Sequence, residues 1–305
     1  MNRYPLLFQT GETFHGQPLI DRQHPHDFFM ELAARYRQQL AETTSLSLYV
    51  AASGEPALGP PAFPHRASAA DNPAAPLSHH WQDATHISFG VVTLGLTHNK
   101  WQLEGSAFNG REPNEERWGI DRLRLDSFAG RLSFNPAPAW SFQVSHGLIH
   151  SPEALHPDED VRRTTASVMH SIPLSSGGHC DTSFIWGRNS IDGRGSNSFL
   201  LESSIGINRT TTVFGRAEYV QKGAEELGIE GDSRRFGITQ LTLGAAKELT
   251  PGKRLSLALG GSVSYSFAPD DLDSRYGDNP WGAWVFFRVR PAKMDHAPFP
   301  AASGK

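Results

Sequence analysis

Between Leu255 and Phe267 the residues Leu255, Leu257, Leu259, Gly261, Val263, Tyr265 and Phe267 alternate with Ser256, Ala258, Gly260, Ser262, Ser264 and Ser266. A helix turns too sharply per residue to gather every second position on one face, whereas a strand does so by construction. The same period appears in Trp101, Leu103 and Ala107 against Gln102, Glu104 and Ser106, and in Trp140, Phe142 and Val144 against Ser141, Gln143 and Ser145. It returns in Phe128, Leu132 and Phe134 against Ser127, Arg131 and Ser133, and in Phe199, Leu201, Ile205 and Ile207 against Glu202, Ser204 and Gly206. These segments read as strands with one apolar and one polar face.

With weaker examples added, the candidate strands lie near 28–37, 45–52, 85–96, 100–109, 123–134, 139–149, 161–171, 179–188, 197–208, 211–221, 235–247, 254–267 and 281–290. Most are about 10 residues long, the length a tilted strand needs to cross hydrocarbon, whereas strands of soluble proteins average roughly 5 or 6. Short turns such as Asn99-Lys100, Pro136-Ala137-Pro138 and Thr250-Pro251-Gly252 alternate with long polar loops at 53–84, 110–122, 222–234 and 268–280. That asymmetry is the one expected of an outer-membrane barrel. The expected fold is therefore all-β, an antiparallel up-and-down membrane β-barrel of about thirteen strands. It divides into an N-terminal loop segment at 1–27, the barrel at 28–290 and a polar tail at 291–305. One stretch is ambiguous: Asp27 to Leu40 carries helical spacing at Phe29, Leu32, Tyr36 and Leu40 as well as period two, and we read it as a strand.

Composition narrows the function. Hydrophobic residues make up 38% of the chain and mean hydropathy is -0.41, values compatible with a barrel because only alternate residues face lipid. No run approaches the roughly 18 apolar residues of a transmembrane helix. A net charge of -4 leaves no basic footprint, so nucleic acid is not an expected partner. Cys180 stands alone and cannot form an internal disulfide. Met1 to Thr10 lacks the basic start and apolar core of a secretory signal.

Charged residues on the polar faces of the strands include Glu31, Arg35, Glu104, Arg131, Glu202, Arg216, Glu218, Arg288 and Arg290. Each would cost roughly 2 to 4 kcal/mol at mid-depth in lipid, so the barrel reading turns them to the lumen. There they either form a cross-strand ion-pair ladder or line a path for small polar solutes. Trp81, Trp101, Trp118, Trp140, Trp186, Trp281 and Trp284 sit mostly near segment ends, as in an interfacial girdle.

The loops hold the residues with chemistry. His24 and His26 flank Pro25 before Asp27, and His65, His79, His80, Asp83 and His86 surround the longest loop. Imidazole and carboxylate suit a transition-metal ion, and His24, His26, Asp27, His79 and His80 form the candidate ligand set. The spacing matches no zinc motif, and loop histidines also serve as ordinary hydrogen-bonding groups or pack, with Trp81, at the membrane rim. Ser145 and His146 are adjacent in a strand and face opposite sides. His150 and Ser151 could meet Asp158 or Asp160 in a lipid hydrolase, the enzymatic alternative to a non-catalytic barrel.

The segments FQTGETFHGQPLIDRQHPHDFFMELA (8–33), GEPALGPPAFPHR (54–66), DNPAAPLSHHWQDATHISFGVVTLG (71–95), FNGREPNEERWGID (108–121), SFAGRLSFNP (127–136), SPEAL (151–155), RRTTASV (162–168) and WGRN (186–189) resemble a family of bacterial outer-membrane-type barrel proteins that has no established activity. The resemblance covers nearly the whole chain and implies architecture rather than mechanism. Members generally carry a signal peptide and further strands upstream, so it implies an internal start here. The expectation that follows is a passive channel or structural envelope protein of the outer membrane, not an enzyme, with the lipid bilayer as partner and small polar solutes or a metal ion as cargo. No cofactor beyond such an ion is expected. A soluble β-sandwich or enclosed barrel that binds a ligand is the competing class.

Overall fold

The computed structural model describes residues 6–9, 12–22, 27–83, 87–250 and 254–291. A short hairpin, β1 (Glu12–Phe14) with β2 (Gln17–Leu19), precedes one large antiparallel sheet. Its strands are β3 (Leu32–Ala41), β4 (Thr44–Gly54), β5 (Ser88–His98), β6 (Trp101–Phe108), β7 (Ser127–Ala137), β8 (Trp140–Ile149), β9 (Val161–Pro173), β10 (His179–Ile191), β11 (Arg194–Gly206), β12 (Thr211–Gly223), β13 (Arg235–Glu248), β14 (Leu255–Phe267) and β15 (Trp281–Pro291). They lie side by side in chain order from β3 to β15, each antiparallel to the next, which is the up-and-down topology of a membrane barrel.

Register turns the period-two pattern into two faces. Trp101, Phe134, Phe142, Val168, Phe184, Leu201, Ala217, Leu241, Tyr265 and Trp281 pair in succession and form one belt from β6 to β15. Along it Trp101 stacks on Phe134 with ring centroids 4.4 Å apart. This face is exposed: Leu103, Val144, Phe184, Leu201, Leu243 and Val263 all project from it. The opposite face buries Ser106, Ser145, Thr165, Ser183, Glu202, Ser204, Arg216 and Glu218. In water each large apolar side chain left outside forgoes roughly 1.5 to 3 kcal/mol of burial. A protein with apolar residues outside and polar residues inside is built for hydrocarbon.

The sheet is strongly curled. On a flat sheet β11 and β15 would stand about 19 Å apart, four spacings of roughly 4.8 Å. Yet Asp71 accepts from Ser204 Oγ of β11 at 2.7 Å with one oxygen and from the Arg288 guanidinium of β15 with the other. Phe214 of β12 and Phe286 of β15 likewise meet across the interior, with centroids 6.2 Å apart.

Two expectations need correction. The first barrel strand begins at Leu32 rather than at residue 28, since Phe28 and Phe29 pack with Trp118 in a loop-end cluster, Phe28 stacking on Trp118 at 4.2 Å. Segment 53–84 is not a polar loop in solvent: beyond the end of β4 at Gly54, much of it is buried inside the curl, and Trp81 is buried with it rather than placed at a membrane rim.

Candidate functional site

Residues 55–83 connect β4 to β5 by way of the interior. The run Gly54-Glu55-Pro56-Ala57-Leu58-Gly59-Pro60-Pro61 has too few free N–H groups and too much proline for helix or ladder. It folds instead through short 3-10 turns at Phe63–His65 and Ala67–Ala69 and a single helical turn, α1 (His79–Gln82). With no ladder of its own, its backbone is satisfied by side chains of the wall. Ala57 N donates to Ser106 Oγ at 2.7 Å and Gly59 N to Ser145 Oγ at 2.8 Å. Arg131 donates to Gly59 O, Arg216 to Ala74 O and Asn189 to His80 O, each at 2.9 Å. Arg163 donates to Asp83 O. Strands β6 to β10 and β12 all contribute.

Two ionic anchors reinforce this. Arg66 Nε lies 2.8 Å from one oxygen of Glu202, and Arg216 Nε lies 3.0 Å from the other, all three side chains being almost wholly buried. Ser68 also donates to Glu202 at 3.0 Å. The second anchor is Asp71 with Arg288, which also pairs with Glu248 at 2.7 Å. Burial pushes the Asp71 carboxyl up, but the Ser204 hydroxyl and the Arg288 and Arg290 charges outweigh it and leave it below the usual range. α1 docks on Gly187 of β10, where any Cβ would run into the Trp81 carbonyl. Trp81 Nε1 donates to Ser196 Oγ at 2.7 Å, and the Lys222 ammonium sits 5.2 Å from the Trp81 ring centroid.

Beyond α1, at the long-loop end, a vestibule of about 890 Å³ remains. Its lining includes Trp81, His80, Glu112, Glu153, His156 and Arg163. The loops at 109–126 and 150–160 that form part of its wall are joined by Glu112 N donating to Pro152 O at 3.0 Å and Arg111 donating to Ser151 Oγ at 2.6 Å. Burial pushes the carboxyls of Glu112 and Glu153 up to about 8; Arg163 and Arg111 oppose the shift at Glu112, and Glu112 itself adds to it at Glu153.

The predicted residues distribute as follows. Glu202, Arg216 and Glu218 are buried on the inner face, Glu218 accepting from Ser78. Glu104 pairs with Arg131 at 2.8 Å and Arg288 with the second anchor. Arg290 joins Glu248 there at 2.9 Å. Glu31, just before β3, and Arg35, within it, are exposed and paired with each other, and Glu31 also accepts from Tyr49. His24, His26 and His86 lie outside the described residues. Asp27 is buried and its carboxyl is raised to about 6, first by burial and then by Asp121. His79 engages Pro76 O at 2.6 Å through Nδ1, and His80 Nδ1 lies 3.1 Å from Glu112. Among the described residues no three His, Cys, Asp or Glu side chains converge as a metal would require. His65 instead pairs with Glu55, which raises its pKa. His150 Nδ1 meets Asp160 at 2.7 Å, the contact a catalytic dyad needs, but Ser151 Oγ is taken by Arg111, and among the described residues no hydroxyl bonds His150 Nε2.

Sequence reasoning missed Arg66, Asp71, Glu112 and Glu153. One signal was present for the first two: segment 55–83 is unusually rich in Ala and Pro for a solvated loop.

No protein-family model matches the chain, and no curated relative matches it. Among solved structures it is similar to the anion-selective porin from Comamonas acidovorans, at 12% identity over 85% of this chain and 87% of that one, with a TM-score of 0.43. It is also similar to the outer-membrane expressed OmpT of Vibrio cholerae, at 7% identity over 78% of each chain, with a TM-score of 0.45.

Proposed function

We propose that this chain is an outer-membrane barrel working as a constricted passive conduit for small polar solutes, its bore set by segment 55–83. The observation that carries the reading is the attachment of that segment to inward side chains of β6 to β12 and β15. A stretch pinned at so many points narrows the lumen permanently and does not swing like a lid. The vestibule at the long-loop end gives solutes an entry chamber, and on the usual asymmetry of such barrels that end faces outward.

The test is conductance in planar bilayers. The wild-type protein is expected to give small, voltage-insensitive steps, and a variant in which 56–82 is replaced by a short Gly-Ser linker is expected to give several-fold larger ones. Silence from both proteins, each inserted and folded, would instead mark a structural envelope protein.

A further inference from the structure

We propose that the seam between β3 and β15 accepts one further β-strand from a partner polypeptide: an extended segment of about ten residues, apolar at every second position and acidic between, antiparallel to both edges. The inference concerns the wall and stands whether or not the lumen conducts.

The starting point is hydrogen bonding. Among the described residues β3 pairs only with β4 and β15 only with β14, and no backbone bond joins one to the other. Every second residue along an edge turns its N–H and C=O away from the sheet. Hydrocarbon offers those groups nothing to bond, so an open edge does not persist within a bilayer. Exposure marks the same place. All ten residues of β3 are exposed, on both faces alike, and Val285 of β15, at 83%, is the most exposed large apolar side chain among the described residues.

Strand direction decides what can fill the gap. Thirteen strands, each antiparallel to the next, leave β3 and β15 running the same way. Joined directly, they would make the one parallel pair of an otherwise antiparallel wall. A second copy of this chain, inserted in the same sense, would present edges that run the same way again. A single strand of opposite direction bonds both edges with antiparallel ladders. The sequence after β15 does not read as that strand, because Pro298 and Pro300 would each remove a bond from a strand paired on both sides.

Charge specifies the inner face of the added strand. Register turns Arg35 and Arg37 of β3 inward, opposite Tyr49 and Ser47, and Arg288 and Arg290 of β15 inward, opposite Ala258 and Ser256. Neither strand contains an Asp or a Glu. Arg35 is answered by Glu31, and the β15 pair by Asp71 and Glu248. Among the described residues, however, the Arg37 side chain bonds only Ser45 Oγ, at 3.0 Å, and the Nε atoms of Arg288 and Arg290 are buried without a hydrogen bond. Carboxylates on the added strand complete this set, whereas lysines there would repel it. Outside, Tyr36 and Leu40 on one edge and Val285, Phe287 and Val289 on the other are exposed, so the positions between them must be apolar.

The experiment is hydrogen exchange of the intact protein in detergent micelles, with and without a synthetic peptide of about ten residues that alternates leucine or valine with glutamate or serine. One control peptide has the same composition in helical order, and another carries lysine in place of glutamate. Without peptide, amides of β3 and β15 are expected to exchange far faster than those of β10. Saturating peptide is expected to slow both edges on the order of tenfold and to leave β10 unchanged. The helical-order peptide should protect neither edge, and the lysine peptide should bind several-fold more weakly. Arg37→Gln changes an exposed side chain and leaves the ladder intact; it should weaken the glutamate peptide several-fold and leave a glutamine version of that peptide unaffected. The wild-type series needs no variant to fold. The proposal is overturned if β3 and β15 are as protected as β10 without peptide, if the peptide slows neither edge or only one, or if the helical-order peptide protects equally. Protection that follows protein concentration instead of peptide, the mark of a second copy, would overturn it as well.

Discussion

Replacing Glu202 by Gln keeps the side chain's size and removes the charge between Arg66 and Arg216. Both guanidinium groups are at most 2% exposed at their side chains, so neither can turn to water without moving the backbone that carries it. Removing one member of a buried ionic group typically costs roughly 3 to 5 kcal/mol, most of it from the charges left behind. Arg216 sits in a laddered strand, whereas Arg66 sits in a segment without a ladder. The cheapest relief is for residues 55–83 to lift off the wall and carry Arg66 into water. At 1.36 kcal/mol per decade, that raises the released population by roughly two to three and a half orders of magnitude. Trypsin reads this directly, since it cleaves after Arg66 only when it can take up that side chain, which is buried in the folded protein. In micelles, cleavage there should accelerate by a comparable factor while the barrel keeps its gel mobility. Glu104→Gln is the control: its partner Arg131 is partly exposed and keeps Gly59 O, so the change should stay within about 1 kcal/mol. A Glu202→Gln protein cut no faster than wild type would refute the anchoring role given to this carboxylate.

Other substitutions probe the remaining layers. Leu243→Arg puts a charge on the outer face, where Leu243 is 68% exposed; refolding into bilayers should lose about 2 to 4 kcal/mol, against almost nothing for an exposed leucine of a water-soluble protein. Gly187→Val drives a side chain into the Trp81 carbonyl and should displace α1, seen as a red shift of tryptophan emission and faster trypsin cleavage at Arg66, with the strands intact by circular dichroism.

Much of the wall was legible in the sequence because one face of each strand must meet hydrocarbon. Leu255 to Phe267 announces β14 almost to the residue, and the Trp101, Trp140 and Phe199 segments place their strands as well. β3 was harder, since Asp27 to Leu40 carries two periods at once and its aromatic start belongs to a contact with Trp118 that lies far along the chain. The interior was hidden for a different reason. Period two says which residues point inward, not what they meet there, so Glu202 and Arg216 could be placed while Arg66 between them could not. Glu112 and Glu153 resemble ordinary surface acids; only the folding of their loops over the cavity sets them apart.

The bond of Asp71 to Ser204 and Arg288 also bears on how the molecule is assembled. Those partners follow Asp71 by 133 and 217 positions, and closing such long loops is slow. Arg288 belongs to β15, so this clasp can close only once that strand has joined the wall. A chain halted before β15 therefore holds segment 55–83 by one clasp fewer.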